Sequence, residues 1–403
     1  NTSVPSKSPL RPKTPWHLYN LPTPGILLDI RKSHRTSELH RPATDCTTAS
    51  HPNRTKNKIP FPLDGPMNRR KILTFLFFFV AVPWICFHLR QFAIPGGDSV
   101  EMASRLTHRW QFFMRAPLVV LFHKSLWTLL RPWDWTTSEC VALSSSIAGG
   151  AYFYALFHIS RSPLVWLVCL ASKVTFIFFG HVENYAWPYA MALACFVSLK
   201  STLETRSSLW NVWIWAGLAT FFHPMVLMIW PGLVWGIRPW DRQRISQVIA
   251  ALVLVGGIFD LFLVVGNVDG FFRTSWLLTP VPDPSGVCPY GLFSKDHLRL
   301  LFDFHRSTLM AGLVLLALFW KSLEPGWQQA LGVTAGVTLL WSLVWCPTLG
   351  EWDWDLFAWP AVFVNLSGGL AFYNRFHASS WWPDNLYNRK KRDSEPEREP
   401  QIE

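Results

Sequence analysis

Residues 72–89 read ILTFLFFFVAVPWICFHL, a run with no charged side chain ahead of the closing His88-Leu89. A bilayer's hydrocarbon core is about 30 Å thick, so a helix rising about 1.5 Å per residue needs about 20 apolar residues to cross it. Residues 72–89 approach that length, and so do the apolar runs at 307–320 and 329–350. No water is available in hydrocarbon, so the backbone must satisfy its own polar groups, and a continuous rather than alternating apolar run does this as a helix. The composition agrees. Half of the 403 residues are hydrophobic, with 24 Trp and 30 Phe, while Asp, Glu, Lys and Arg make up only 16%. The expectation is an all-α integral membrane protein, a polytopic bundle of about ten transmembrane helices. The spans are placed near 72–89, 137–158, 163–180, 186–200, 209–222, 224–238, 246–266, 306–320, 329–346 and 357–374. The short pair around Pro224 reads as broken or kinked.

The net charge of +11 would suggest nucleic acid if it were spread over the chain. Instead residues 1–70 hold 12 Lys/Arg against 4 Asp/Glu, which leaves the remainder nearly balanced and argues against a nucleic-acid partner. Residues 1–66 are rich in Pro, Ser, Thr and basic residues and show no hydrophobic period, so disorder is expected there. Met67-Asn68-Arg69-Arg70-Lys71 ahead of an apolar run looks like a natural start. The segment before it is expected to be a gene-model artefact, or else a basic cytoplasmic tail touching anionic lipid. N-terminal sequencing decides: a mature chain containing Trp16 removes the first idea. Residues 67–375 form the membrane domain, and 376–403 read as a charged, disordered cytoplasmic tail. The seven cysteines (46, 86, 140, 169, 195, 288 and 346) show no CxxC and no metal-ligand spacing, and read as apolar filler in helices.

Orientation follows from Lys and Arg in short loops. Asn68-Arg69-Arg70-Lys71 puts the N-terminus in the cytoplasm. Alternation then puts Arg161, Lys200–Arg206, Arg238–Arg244, Lys321–Gln329 and Arg389–Arg392 on the same side. The polar, non-repeating segments fall on the opposite face: 94–136, 180–185, His223-Pro224, 267–305 and 346–356. Five loops that gather unusual polar residues on one face suggest a site there.

Each loop has a plain structural reading beside the functional one. Asp98 follows the Gly96-Gly97 turn and is a good helix N-cap, yet with Glu101 one turn later it also suits a general base or metal ligand. Arg109 and Arg115 follow it. His181, Glu183 and Asn184 stand at the junction of two spans, where a helix end with an interfacial Tyr185 is ordinary, but three polar groups after Gly180 favour a site. His223, before Pro224, either binds a backbone group that the proline frees or serves function. Lys295 and His297, with Arg299 and Arg306, suit a phosphate or else a surface amphipathic helix. Asp353 and Asp355 alternate with Trp352 and Trp354 just ahead of a span, which makes this the least generic stretch of the chain. Lys173 and Asp260 lie deep in spans, where a lone charge costs about 2.5–3.5 kcal/mol even on the mild insertion scale. They are expected to pair or to line a polar cavity. There is no P-loop, GxGxxG, HExxH or GxSxG.

The ordered set of motifs resembles the GT-C superfamily of membrane glycosyltransferases. Gly97-Asp98-Ser99-Val100-Glu101 is similar to the Gly-Asp-Ser-Gly-Glu of bacterial protein O-mannosyltransferase-like proteins, with Val100 in place of Gly. Phe179-Gly180-His181-Val182-Glu183-Asn184-Tyr185, His223 and Asp353-Trp354-Asp355-Leu356-Phe357-Ala358 resemble uncharacterised bacterial multi-pass proteins of this type, where Tyr usually stands at the position of His181. The resemblance runs over about residues 70–375. It implies a polyprenyl-phosphate-linked sugar donor and a glycan, lipid or protein acceptor, both met at the extracytoplasmic face of the cell membrane. It implies Asp98 as base or metal-holding acid. Arg109, Arg115 or Lys295 would then face the departing phosphate. His181, Glu183, Asp353 and Asp355 would hold hydroxyls or a divalent cation, with Glu101, Asn184, His223 and His297 as further substrate contacts. A flippase or transporter of a lipid-linked glycan, and an inactive assembly subunit, are the competing expectations. No inverted repeat supports the first of these.

Overall fold

The computed structural model describes residues 69–92, 106–107, 116–265, 278, 280, 288–347 and 353–377, all within one compact unit, Gly65–Glu403. Among them the secondary structure is helical: α1 Arg69–Gln91, α2 Pro117–Leu130, α3 Thr137–Ile159, α4 Pro163–Leu170, α5 Ala186–Thr205, α6 Trp210–Phe222, α7 Trp230–Gly236, α8 Arg242–Val265, α9 Lys295–Thr308, α10 Met310–Phe319, α11 Trp327–Val344 and α12 Trp354–His377. Three of these, α1, α3 and α12, are long and apolar enough to cross a membrane, and α9 with α10 makes a fourth if the bent pair counts as one span.

Several expected spans are broken. The run 163–180 is not one helix. α4 stops at Leu170 and a 3-10 stretch, Lys173–Phe178, follows, because Ser172 turns its hydroxyl onto the Val174 N–H instead of continuing the helix. The run 224–238 begins with a 3-10 stretch, Pro224–Ile229, since Pro224 cannot donate back into α6. The span placed at 306–320 starts inside α9, and the chain bends by 83° between Thr308 and Met310. At that bend the buried Thr308 carbonyl accepts from Ser172 Oγ at 2.5 Å and from Asn365 Nδ2 at 2.8 Å. α2 is a helix that the hydropathy pattern does not mark as a span. It lies in the stretch read as the loop 94–136, where His123 and Lys124 interrupt an otherwise apolar run.

The interior is a hydrophobic core, but large apolar side chains also face outward and small polar ones are buried with the core. Phe75, Val80, Trp84, Val253, Leu318 and Leu340 are exposed. Ser144, Ser145, Ser146, Thr338, Ser342 and Ser367 are buried. Outward apolar side chains of this size are compatible with a hydrocarbon surround, and interhelical or i−4 hydrogen bonds satisfy most of the buried hydroxyls; Ser146 and Thr338, for example, bond back to Ala142 and Thr334 carbonyls. α12 is the central element, continuously buried from Trp359 to Ala371 and packed against α4, α10 and α11. Its crossing with α10 is close enough that a Cβ on Gly368 would sit 2.2 Å from the Gly312 carbonyl oxygen. Small residues at such crossings let helix backbones approach where no hydrophobic drive operates. On the other side α3 packs on α1, α2 and α5, and α5 packs on α6.

The two ends of the bundle differ. At one end Lys200 Nζ donates to the His158 and Ile159 carbonyls and lies 5.2 Å from the Trp327 ring, while Asn374 bonds to Ser322 and Gln328. These contacts collect the basic connectors. The other end carries the start of α3, α5 and α12 and the finish of α6 and α11.

Candidate functional site

Two loops meet at that second end. The first, 180–185, begins with Gly180 at φ +75°, a left-handed conformation that glycine adopts freely; a Cβ there would also press on Arg90 and Ala142. The turn aims His181 inward, and Ser145 Oγ on α3 holds the His181 carbonyl at 2.6 Å. The second segment, Asp353–Asp355, opens α12. His181 Nε2 and Asp355 Oδ2 lie 2.8 Å apart, with side-chain exposures of 1% and 4%. The other Asp355 oxygen accepts the Leu356 N–H at 2.8 Å, and its main-chain carbonyl accepts the Tyr189 hydroxyl. A carboxylate held this firmly fixes the ring plane and the tautomer of the imidazole it accepts from.

Trp354 extends the pair. Its ring lies 5.5 Å from the His181 ring, and the Lys173 ammonium sits 4.3 Å from its centroid. The Asp355 charge also acts on Lys173. Lys173 therefore meets an aromatic face and lies within the field of a carboxylate. No ion pair joins it to Asp260 among the described residues; Asp260 is exposed on α8. The pairing expected from sequence is thus replaced by one with Trp354. Glu183 and Asp353 are buried in the same two segments. Asn184 keeps a buried Oδ1 without a hydrogen-bond partner, and Trp354 keeps a buried Nε1 in the same state.

His223 joins from α6. Its Nδ1 accepts the Met225 N–H at 3.1 Å, so it caps the turn that Pro224 starts, and its ring lies 5.4 Å from Tyr185. Lys295 and His297 are not brought together. Lys295 is exposed at the start of α9, whereas His297 is fully buried with its Nδ1 3.0 Å from the Leu292 carbonyl and its Nε2 unpartnered. Asp98, Glu101, Arg109 and Arg115 lie outside the described residues. Among the described residues no three His, Cys, Asp or Glu side chains cluster to hold a metal ion.

Two further features flank the site. Cys288 and Cys346 form a disulfide with Cα atoms 6.0 Å apart, which corrects the reading of all the cysteines as apolar filler. The chain brings together residues 58 apart, a proximity that no local spacing announces. Cys86, Cys140, Cys169 and Cys195 are free and buried in helices, as that reading expects. An apolar groove of about 650 Å³ runs along α1 past Leu73, Phe77 and Ile85 to Phe179, two residues from His181.

No family model matches the chain, and neither a curated protein nor a solved structure matches it.

Proposed function

We propose that this chain is a GT-C-type membrane glycosyltransferase with about ten membrane crossings, some of them broken helices. It transfers a sugar from a polyprenyl-phosphate donor to an acceptor hydroxyl at the extracytoplasmic face. The observation that carries the reading is the buried His181–Asp355 pair with Lys173 beside it, built from segments far apart in sequence at the end away from the basic connectors. A packed bundle has no need of buried ionisable groups, and in membrane proteins they mark functional sites by default. The Cys288–Cys346 bond near this end supports an oxidising, extracytoplasmic setting, and the basic connectors at the other end suit the cytoplasm.

In this reading the donor's isoprenoid lies along the apolar groove beside α1 and its phosphate reaches Lys173. Asp98 takes the proton of the acceptor hydroxyl as that oxygen attacks the anomeric carbon. The sugar–phosphate bond breaks, and its electrons go to the phosphate oxygen. Lys173, with Arg109, Arg115 or Lys295, stabilises the charge that grows there. His181, oriented by Asp355, together with Glu183 and Asp353, holds hydroxyls of sugar or acceptor. The donor's energy is already in its phosphate ester, so no nucleotide-binding domain is required.

The test is comparison of membrane and envelope glycans by mass spectrometry in a host lacking its own copy. It uses wild type, Asp98→Asn, Asp355→Asn and empty vector, with protein levels matched. A glycan larger by one sugar in wild type alone supports transfer and gives the sugar class. Identical glycans in wild type and empty vector move a flippase or assembly role ahead.

A further inference from the structure

At the opposite end of the bundle, Arg238 lies between two indoles. Its Cζ is 3.2 Å from the Trp235 ring centroid and 4.7 Å from that of Trp240. Trp240 is fixed in turn, its Nε1 donating to the Val234 carbonyl at 3.0 Å. The nearby acid, Asp241, is taken by Arg244 at 3.2 Å, and no carboxylate pairs with Arg238 among the described residues. A cavity of about 500 Å³ opens here, lined by these three side chains together with Gly326 and Gln329 from the start of α11.

We propose that this cavity binds the phosphate headgroup of an anionic membrane phospholipid. A guanidinium pinned flat against indole keeps its N–H edge free for two parallel bonds to phosphate oxygens, a geometry that lysine cannot reproduce. Gln329 adds a neutral amide. Exposed Arg242 and Lys321 belong to the same basic end. Tryptophan flanking a cation is the composition of a bilayer interface, where basic residues meet anionic lipid. The lipid source, rather than free phosphate, is favoured by α8. It starts two residues after Trp240 and exposes Ile245, Ile249, Leu252 and Val253 at helical spacing, a stripe suited to acyl chains. The inference needs the chain to sit in a membrane but does not depend on glycosyl transfer.

The test uses the full chain in detergent, with lipid binding counted by native mass spectrometry and thermal unfolding followed in parallel. The probes are phosphatidylglycerol, phosphatidylcholine with the same acyl chains, and inorganic phosphate. Phosphatidylglycerol is expected to bind wild type and raise its Tm by a few degrees. Arg238→Gln should weaken that binding on the order of tenfold, the scale of one charge-assisted bidentate contact. Trp240→Ala, which keeps the charge, should weaken it too and provides the readout if Arg238→Gln does not fold. Equal binding of phosphatidylcholine, equal protection by inorganic phosphate, or undiminished phosphatidylglycerol binding to the variants would each overturn the proposal.

Discussion

His181 and Asp355 stand 174 residues apart in the chain, yet their side chains meet at 2.8 Å inside the bundle, where neither is reached by solvent. Removing one partner leaves the other buried without its counterpart. His181→Ala is therefore expected to destabilise the protein by about 3 kcal/mol, the scale for breaking a buried pair. The double variant His181→Phe/Asp355→Leu should recover part of that loss. Chemical denaturation in detergent provides the measurement, and costs that simply add would show that the pair is not coupled.

Lys173 supplies the second prediction. Lys173→Met removes the cation beside Trp354 and Asp355, whereas Lys173→Arg keeps it. In a transfer assay with a polyprenyl-phosphate sugar, Lys173→Met is expected to lower kcat roughly 100-fold, the scale for losing one group that stabilises transition-state charge. Lys173→Arg should retain much of the rate. Equal loss in both would assign Lys173 to packing.

The disulfide makes a prediction about compartment. Cys288 and Cys346 should react with a membrane-impermeant maleimide on intact cells only after an impermeant reductant is added. Cys288→Ser is expected to cost about 2–4 kcal/mol of stability, as loss of a native cross-link usually does. Labelling that needs permeabilised cells would place this end in the cytoplasm.

His123, on α2 between the first two expected spans, carries a pH dependence. Burial pushes its imidazole down from the usual 6.5 to about 3, and its Nδ1 has no hydrogen-bond partner. The folded protein thus keeps His123 neutral where the unfolded chain would protonate it. The sign follows: stability is full above about pH 6.5 and declines as pH falls towards 3. Tm measured across that window should fall less steeply for His123→Phe.

The sequence was informative where its residue types were unusual for their position. His181 with Glu183 in a six-residue turn, and Asp353 with Asp355 between tryptophans, pointed to the two segments that the fold brings together. Lys173 was recognisable as a charge inside an apolar run, and it is half-buried in the structure, but its partner was not recognisable, because an aromatic face carries no charge to match. Cys288 and Cys346 gave no signal, since only tertiary packing makes them neighbours. Apolar runs located helices well and their breaks poorly. Ser172 and Thr308 interrupt runs that hydropathy reads as continuous, and the polar pair His123-Lys124 hid α2. His297, read beside Lys295 as a phosphate ligand, turned inward because it falls on the same helix face as Phe304 and Thr308, which are buried.

The Thr308 carbonyl, gripped by Ser172 and Asn365, has a geometric consequence for α9. A helix of 14 residues set at 83° to its successor runs about 21 Å nearly perpendicular to it. Locking the corner from two other segments keeps α9 from straightening into a continuation of α10. The same residues that would have lengthened one column are laid out as a ledge, and the stretch bearing the disulfide starts from its far edge.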